Sequence, residues 1–99
     1  MVYIKIHKSY RDVIAVCDEN LIGKKFEEGK MQIEITETFF KGKLVEEKEA
    51  ESIINEMKKE DATFNIAGQR SINLFLKMGL VSPEGIKTIQ GIPVALILL

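Results

Sequence analysis

Ninety-nine residues make one domain, 1–99, large enough to bury a single core without covalent staples. Hydrophobic residues at 45%, charged residues at 29%, and 14 basic against 15 acidic side chains describe an ordinary globular chain with no net field to draw it to nucleic acid. One cysteine forbids an internal disulfide, and no apolar run approaches the length of a bilayer span, so a cytoplasmic protein with no membrane partner is expected.

Residues 2–8, VYIKIHK, alternate apolar and polar, and residues 13–17, VIAVC, are apolar throughout; Ser9, Tyr10 and Arg11 between them predict a tight hairpin with a half-exposed first strand and a buried second. Gly23 and Gly29 mark ENLIGKKFEEGK as a loop holding one helical turn, MQIEIT alternates as a third strand, and ETFFKGK reads as a hinge. From Val45 to Lys59, Ala50, Ile53, Ile54 and Met57 recur at helical spacing, with glutamates in the first turn and lysines in the last, as the helix dipole favours. A second helix is predicted from Phe64 to Met78, stopped by Gly79, with Phe64, Ala67, Gly68, Ser71, Ile72, Leu74, Phe75 and Met78 on one face and Ile66, Arg70, Asn73 and Lys77 opposite. Two strands around a Gly91 to Pro93 turn complete the chain; Val94 to Leu99 shows no alternation and is expected in the middle of the sheet or under a partner. The order β-β-β-α-α-β-β gives an α+β domain: a mostly antiparallel sheet of about five strands with two helices packed on one face.

The residue inventory argues against most enzyme chemistry. One histidine and one cysteine cannot build a zinc site within the chain, and the glycines lack every nucleotide-loop spacing, so no metal, cofactor or catalytic residue is assigned. His7 and Cys17 share a hairpin but fall roughly 10 Å apart at about 3.3 Å per residue. They are also expected on different faces, Cys17 as a small buried hydrophobe and His7 as a solvated strand residue. The glutamates at 27 and 28 and at 46–51 read as solvated surface.

The element FNIAGQRS, residues 64–71, is the informative stretch. Gly68 lies on the buried helical face, where close approach of a neighbouring element explains it. Either Asn65 or Asp61 is the helix cap; in the first case Asn65, Gly68 and Arg70 together could receive an anion, and in the second Asn65 and Arg70 point apart. Arg70 is one of two arginines among fourteen cations, and its planar fork grips carboxylate or phosphate in a way lysine cannot. An internal pair with one of the acids is the plain alternative. Arg70, Asn73 and Lys77 around Ile66 compose one small interaction surface. Phe39 and Phe40 beside Lys41 and Lys43 compose another, suited to stacking and neutralising single-stranded RNA, unless the phenylalanines enter the core.

The segments VIAVCDENLIGKKFEEGKMQIEI, FNIAGQRSINLFLKMGLVSPE and GIP resemble the small archaeal family catalogued as domain of unknown function number 424. The likeness covers nearly the whole chain, and Asn65-x-x-Gly68-x-Arg70 followed by Gly79-Leu80-Val81 is its most specific part. It implies an archaeal cytoplasmic α+β protein without an established activity and with a loose association to translation or RNA. A polar residue, often histidine, follows the Gly-x-Pro turn in the family pattern; Val94 stands there in this chain, which argues against a shared catalytic function.

Three readings follow. The first is a non-catalytic module binding RNA or a ribonucleoprotein through Arg70, Asn73, Lys77, Lys41 and Lys43, with salt-sensitive affinity. The second is a protein-interaction module or homo-oligomer joined through strand 94–99. The third is an anion binder or enzyme centred on Asn65, Gly68 and Arg70.

Overall fold

The computed structural model describes residues 1–58 and 61–98. Strand β1 (Val2–His7) and strand β2 (Val13–Asp18) form an antiparallel hairpin in which Val2 faces Asp18 and His7 faces Val13. The turn at 8–12 is held by Asp12, whose carboxylate accepts from Lys8 Nζ at 3.1 Å and from the Ser9 N–H at 3.3 Å. These bonds, Lys8's first, hold its carboxyl below the usual carboxylate range. The chain then leaves the main sheet. Strands β3 (Lys25–Glu28) and β4 (Met31–Glu34) pair only with each other, and helix α1 (Glu37–Phe40) follows, capped by the Thr36 hydroxyl accepting from the Phe39 N–H. Strand β5 (Lys43–Val45) returns beside β1, and helix α2 (Glu47–Met57) crosses the sheet. Strand β6 (Thr63–Ala67), helix α3 (Gln69–Lys77), strand β7 (Lys87–Ile89) and strand β8 (Ile92–Leu98) complete the domain.

The main sheet has six strands in the order β5-β1-β2-β6-β8-β7. Every neighbouring pair is antiparallel except β2 and β6, which run parallel because residues 19–62 make a long crossover between them. One face carries the larger core, where Ile4, Ile14, Val16, Phe64, Ile66 and Ile97 pack under Ile54, Ile72 and Phe75 of α2 and α3. The rings of Phe64 and Phe75 meet edge to face at 5.3 Å, a favoured geometry for an aromatic pair. On the other face Ala15, Cys17 and Ala67 lie beneath Leu21, Ile35 and Phe40, with the β3–β4 hairpin and α1 as the covering layer. Strand β2 is apolar from Val13 to Cys17 because both its faces are covered.

The α+β class and the placement of two longer helices on one sheet face agree with the sequence reading. The sheet differs from the expected one of about five strands: it has six, the expected third strand pairs with β3 in a separate two-stranded sheet, and Val45, expected in the first helix, ends β5. Other segments differ too. Residues 64–67 are strand, not the start of a helix, so Ile66 is 2% exposed in the core and forms no surface with Arg70. The expected loop at 19–30 contains strand β3, and the expected hinge at 37–43 contains α1. Lys59 and Leu99, the expected ends of the first helix and the last strand, lie outside the described residues.

Candidate functional site

The junction between β6 and α3 is built on one glycine. Gly68 has φ +106°, a conformation that L side chains rarely adopt, and its N–H donates to the Pro93 carbonyl at 2.9 Å. A Cβ there would lie 2.4 Å from Asp18 Cγ. The glycine therefore admits the Asp18 carboxylate, at the end of the neighbouring parallel strand, to the first turn of α3. Asp18 Oδ2 accepts from the Arg70 N–H at 3.0 Å, and Oδ1 accepts from the Ser71 N–H at 2.8 Å and from Ser71 Oγ at 2.9 Å. Asp18 is 8% exposed and Ser71 fully buried. A carboxylate at a helix amino terminus satisfies otherwise orphaned donors and complements the dipole. The position that an external anion would take is occupied by the chain's own aspartate.

The opposite face of the same strand offers a cavity. Asn65 pairs with Leu96 on β8 and with Ala15 on β2, which places its side chain with Ala15, Ala67 and Val94 on the face turned away from α3. There the covering layer and the sheet leave between them a hollow of about 460 Å³, bounded by Ile33 and Glu34 of β4, Phe39 and Phe40 of α1, Lys87 of β7, and Val94 to Leu96 of β8. That is the size and mixed lining of a small-ligand pocket. Among the described residues the half-buried Asn65 carboxamide has no hydrogen-bond partner, and neither Glu34 nor Lys87 has an ion-pair partner. Phe39 is fixed as a wall: His7 stacks on it at 4.8 Å between ring centroids, and His7 Nε2 donates to the Phe39 carbonyl at 2.8 Å. Lys5 Nζ donates to the Thr38 carbonyl at 2.6 Å, so two side chains of β1 cap the carboxyl end of α1.

The sequence-selected residues do not form one site. Asn65 and Arg70 lie on opposite sides of the sheet, which removes the single anion site built from Asn65, Gly68 and Arg70. Asn73 accepts from Gln69 Nε2 at 2.8 Å, and Lys77 pairs with Glu51 at 3.3 Å. Lys41 lies 3.8 Å from Glu37, and Lys43 lies 2.7 Å from Glu49. Arg70 is exposed, with no ion pair among the described residues. Phe40 enters the core while Phe39 lines the hollow. Cys17 is buried as expected, but it pairs with Tyr3 and so shares a face with His7, contrary to the alternation argument; distance along the strand still separates the two. His7 is half-buried against Phe39 rather than solvated. Burial, with the Asp18 charge adding, pushes the Cys17 thiol up to about 12, so it is a packing group and not a nucleophile.

Sequence reasoning missed Asp18, Glu34, Lys87 and Leu96. A strand ending in aspartate and another strand ending at a glycine before a helix are the signal for the Asp18 cap. The pocket has no such signal, since its walls come from β4, α1, β6, β7 and β8.

No candidate metal cluster occurs among the described residues, and no helix among them is long and apolar enough to cross a membrane. No curated protein matches the chain. Its fold is similar to that in the crystal structure of an uncharacterized conserved protein from Methanopyrus kandleri, with a TM-score of 0.84 and 27% identity over 98% of this chain and 91% of that one. Residues 7–99, which include the Gly68 junction and every wall of the Asn65 hollow, match one family model, and the chain belongs to that family, Protein of unknown function (DUF424).

Proposed function

We propose that the protein is a binding module that holds a nucleobase in the Asn65 pocket. The observation that carries this reading is the unpartnered carboxamide of Asn65, half-buried in an otherwise largely apolar hollow of about 460 Å³. A carboxamide presents a donor and an acceptor side by side, which matches the paired acceptor and donor on the edge of a purine such as adenine. Ile33, Phe39, Val94 and Leu96 supply apolar walls for the flat faces of the ring. Lys87 at the rim supplies a cation for a phosphate, and Glu34 an acceptor for an exocyclic amine.

A free nucleotide and a splayed base of single-stranded RNA share this chemistry, and the RNA source keeps the expectation of a ribonucleoprotein role. Arg70, Asn73 and Lys77 belong to the α3 side and do not contribute to the pocket. The test is an amide and side-chain chemical-shift titration with adenosine, adenosine monophosphate and a short oligoadenylate. Shifts confined to Asn65, Glu34, Lys87 and Leu96, lost at least tenfold in affinity in Asn65→Leu with the rest of the spectrum intact, support the reading. Tighter binding of the oligonucleotide than of the monophosphate identifies RNA as the source. The absence of any shift at millimolar ligand would sink it.

A further inference from the structure

Strand β7 spans only 87–89 and pairs with residues 92–94, so β8 continues past it to Leu98 with β6 on one side alone. The phase of the ladder says which groups are left over. The Gly68 N–H donates to the Pro93 carbonyl across β6 and β8. In an antiparallel pair hydrogen-bonding direction alternates residue by residue, so Pro93, Ala95 and Ile97 turn toward β6 while Val94, Leu96 and Leu98 turn outward. Val94 meets Lys87 of β7, whereas Leu96 and Leu98 present both N–H and C=O to the outside with no strand opposite them among the described residues. Their side chains are 60% and 69% exposed, among the most exposed large apolar groups of the described chain. Residues 95–98, ALIL, carry none of the charges, prolines or bulges that usually protect a sheet edge.

We infer that this edge pairs with the same edge of a second copy of the chain, joining two sheets across a two-fold axis through Ile97. The segment is self-complementary under that operation. Leu96 of one copy faces Leu98 of the other, and each such pair exchanges two backbone hydrogen bonds. The leucines of both copies then cover one another on the pocket side of the sheet. In the same register the second copy's Lys87, which has no ion pair among the described residues, comes level with the end of β6 beside the exposed Asp61, whose carboxylate is already bound by Arg11 at 2.9 Å. Leu96 also walls the Asn65 pocket whereas Leu98 does not, so the pairing is read without ligand and its variant is placed at Leu98.

The test combines sedimentation equilibrium of the full chain from 10 µM to 1 mM, roughly the range in which small interfaces associate, with amide hydrogen exchange at both ends of that range. The expected result is a concentration-dependent species of twice the 11.2 kDa chain mass. The Leu96 and Leu98 amides should slow with concentration while those of β5, the other sheet edge, do not. Leu98→Lys should weaken association at least tenfold. A chain that stays monomeric at 1 mM overturns the inference, and so does a dimer in which the Leu96 and Leu98 amides remain unprotected. Because exchange is read on the unsubstituted protein, the outcome stands even if Leu98→Lys folds poorly.

Discussion

Gly68 and Asp18 act as one unit, since the absence of a side chain at the first makes room for the carboxylate of the second. Gly68→Ala meets two penalties together, a left-handed φ of +106° and a Cβ 2.4 Å from Asp18 Cγ. Relief requires moving Asp18 off the Arg70 and Ser71 amides, which leaves buried donors without partners. The expected loss is about 2 kcal/mol or more, read as a lower midpoint in urea unfolding with an unchanged slope. Cys17 makes a second prediction at this scale. Its thiol, raised from an ordinary 9.0 to about 12, holds its proton more tightly folded than unfolded. Its contribution to stability is therefore complete below about pH 9 and is lost as pH rises toward 12, by up to about 1.4 kcal/mol per pH unit. Unfolding curves between pH 8 and 11 should decline less steeply for Cys17→Val than for the unsubstituted chain. The native thiol should also resist alkylation at pH 8 until denaturant is added.

The elements that the sequence made legible are those whose periodicity extends beyond the local turn. The β1–β2 hairpin and α2 were readable because alternation persists through β1 and helical spacing through α2, and the last strand because its apolar run is unbroken. The stretch 64–78 was misread as one helix because Phe64, Ala67, Ser71, Leu74 and Met78 keep a helical interval straight across the junction. The competing pattern, Phe64 and Ile66 inward to one core with Asn65 and Ala67 toward the other, is only five residues long. A strand covered on both faces has no polar face to reveal its period. Strand β3 and α1 were hidden for a different reason: each has only four residues and is stabilised by distant partners. Lys5 and His7 hold α1 through the Thr38 and Phe39 carbonyls, and Gln90 Oε1 accepts from the Glu27 N–H at 3.2 Å on β3. Asn65 was assigned to the wrong neighbours, since a helix and a strand direct the same side chain to different faces.

Across the whole molecule the sheet separates two cores of unequal size, and the pocket lies in the smaller one. The larger core joins β1, β2, β6 and β8 to both long helices, and Phe64 and Phe75 are fully buried at its centre. Truncation of Phe64 to alanine opens a cavity bounded by elements that cannot close over it independently, and should cost about 3–5 kcal/mol as a single global transition. Phe40 is nearly as buried, at 3% exposure, but its neighbours Leu21 and Ile35 belong to the covering layer, which is tied to the sheet by a few side chains. Phe40→Ala should therefore act locally. Amide exchange should accelerate in α1 and the β3–β4 hairpin, while the amides of β2 and β6 keep the protection set by the global stability of the variant. Because Phe39, Phe40, Ile33 and Glu34 of that layer wall the Asn65 pocket, the same variant should weaken ligand binding, and a bound ligand should slow exchange in the layer of the unsubstituted chain. Equal acceleration in β2 and in the hairpin of Phe40→Ala would show that the two cores unfold as one unit.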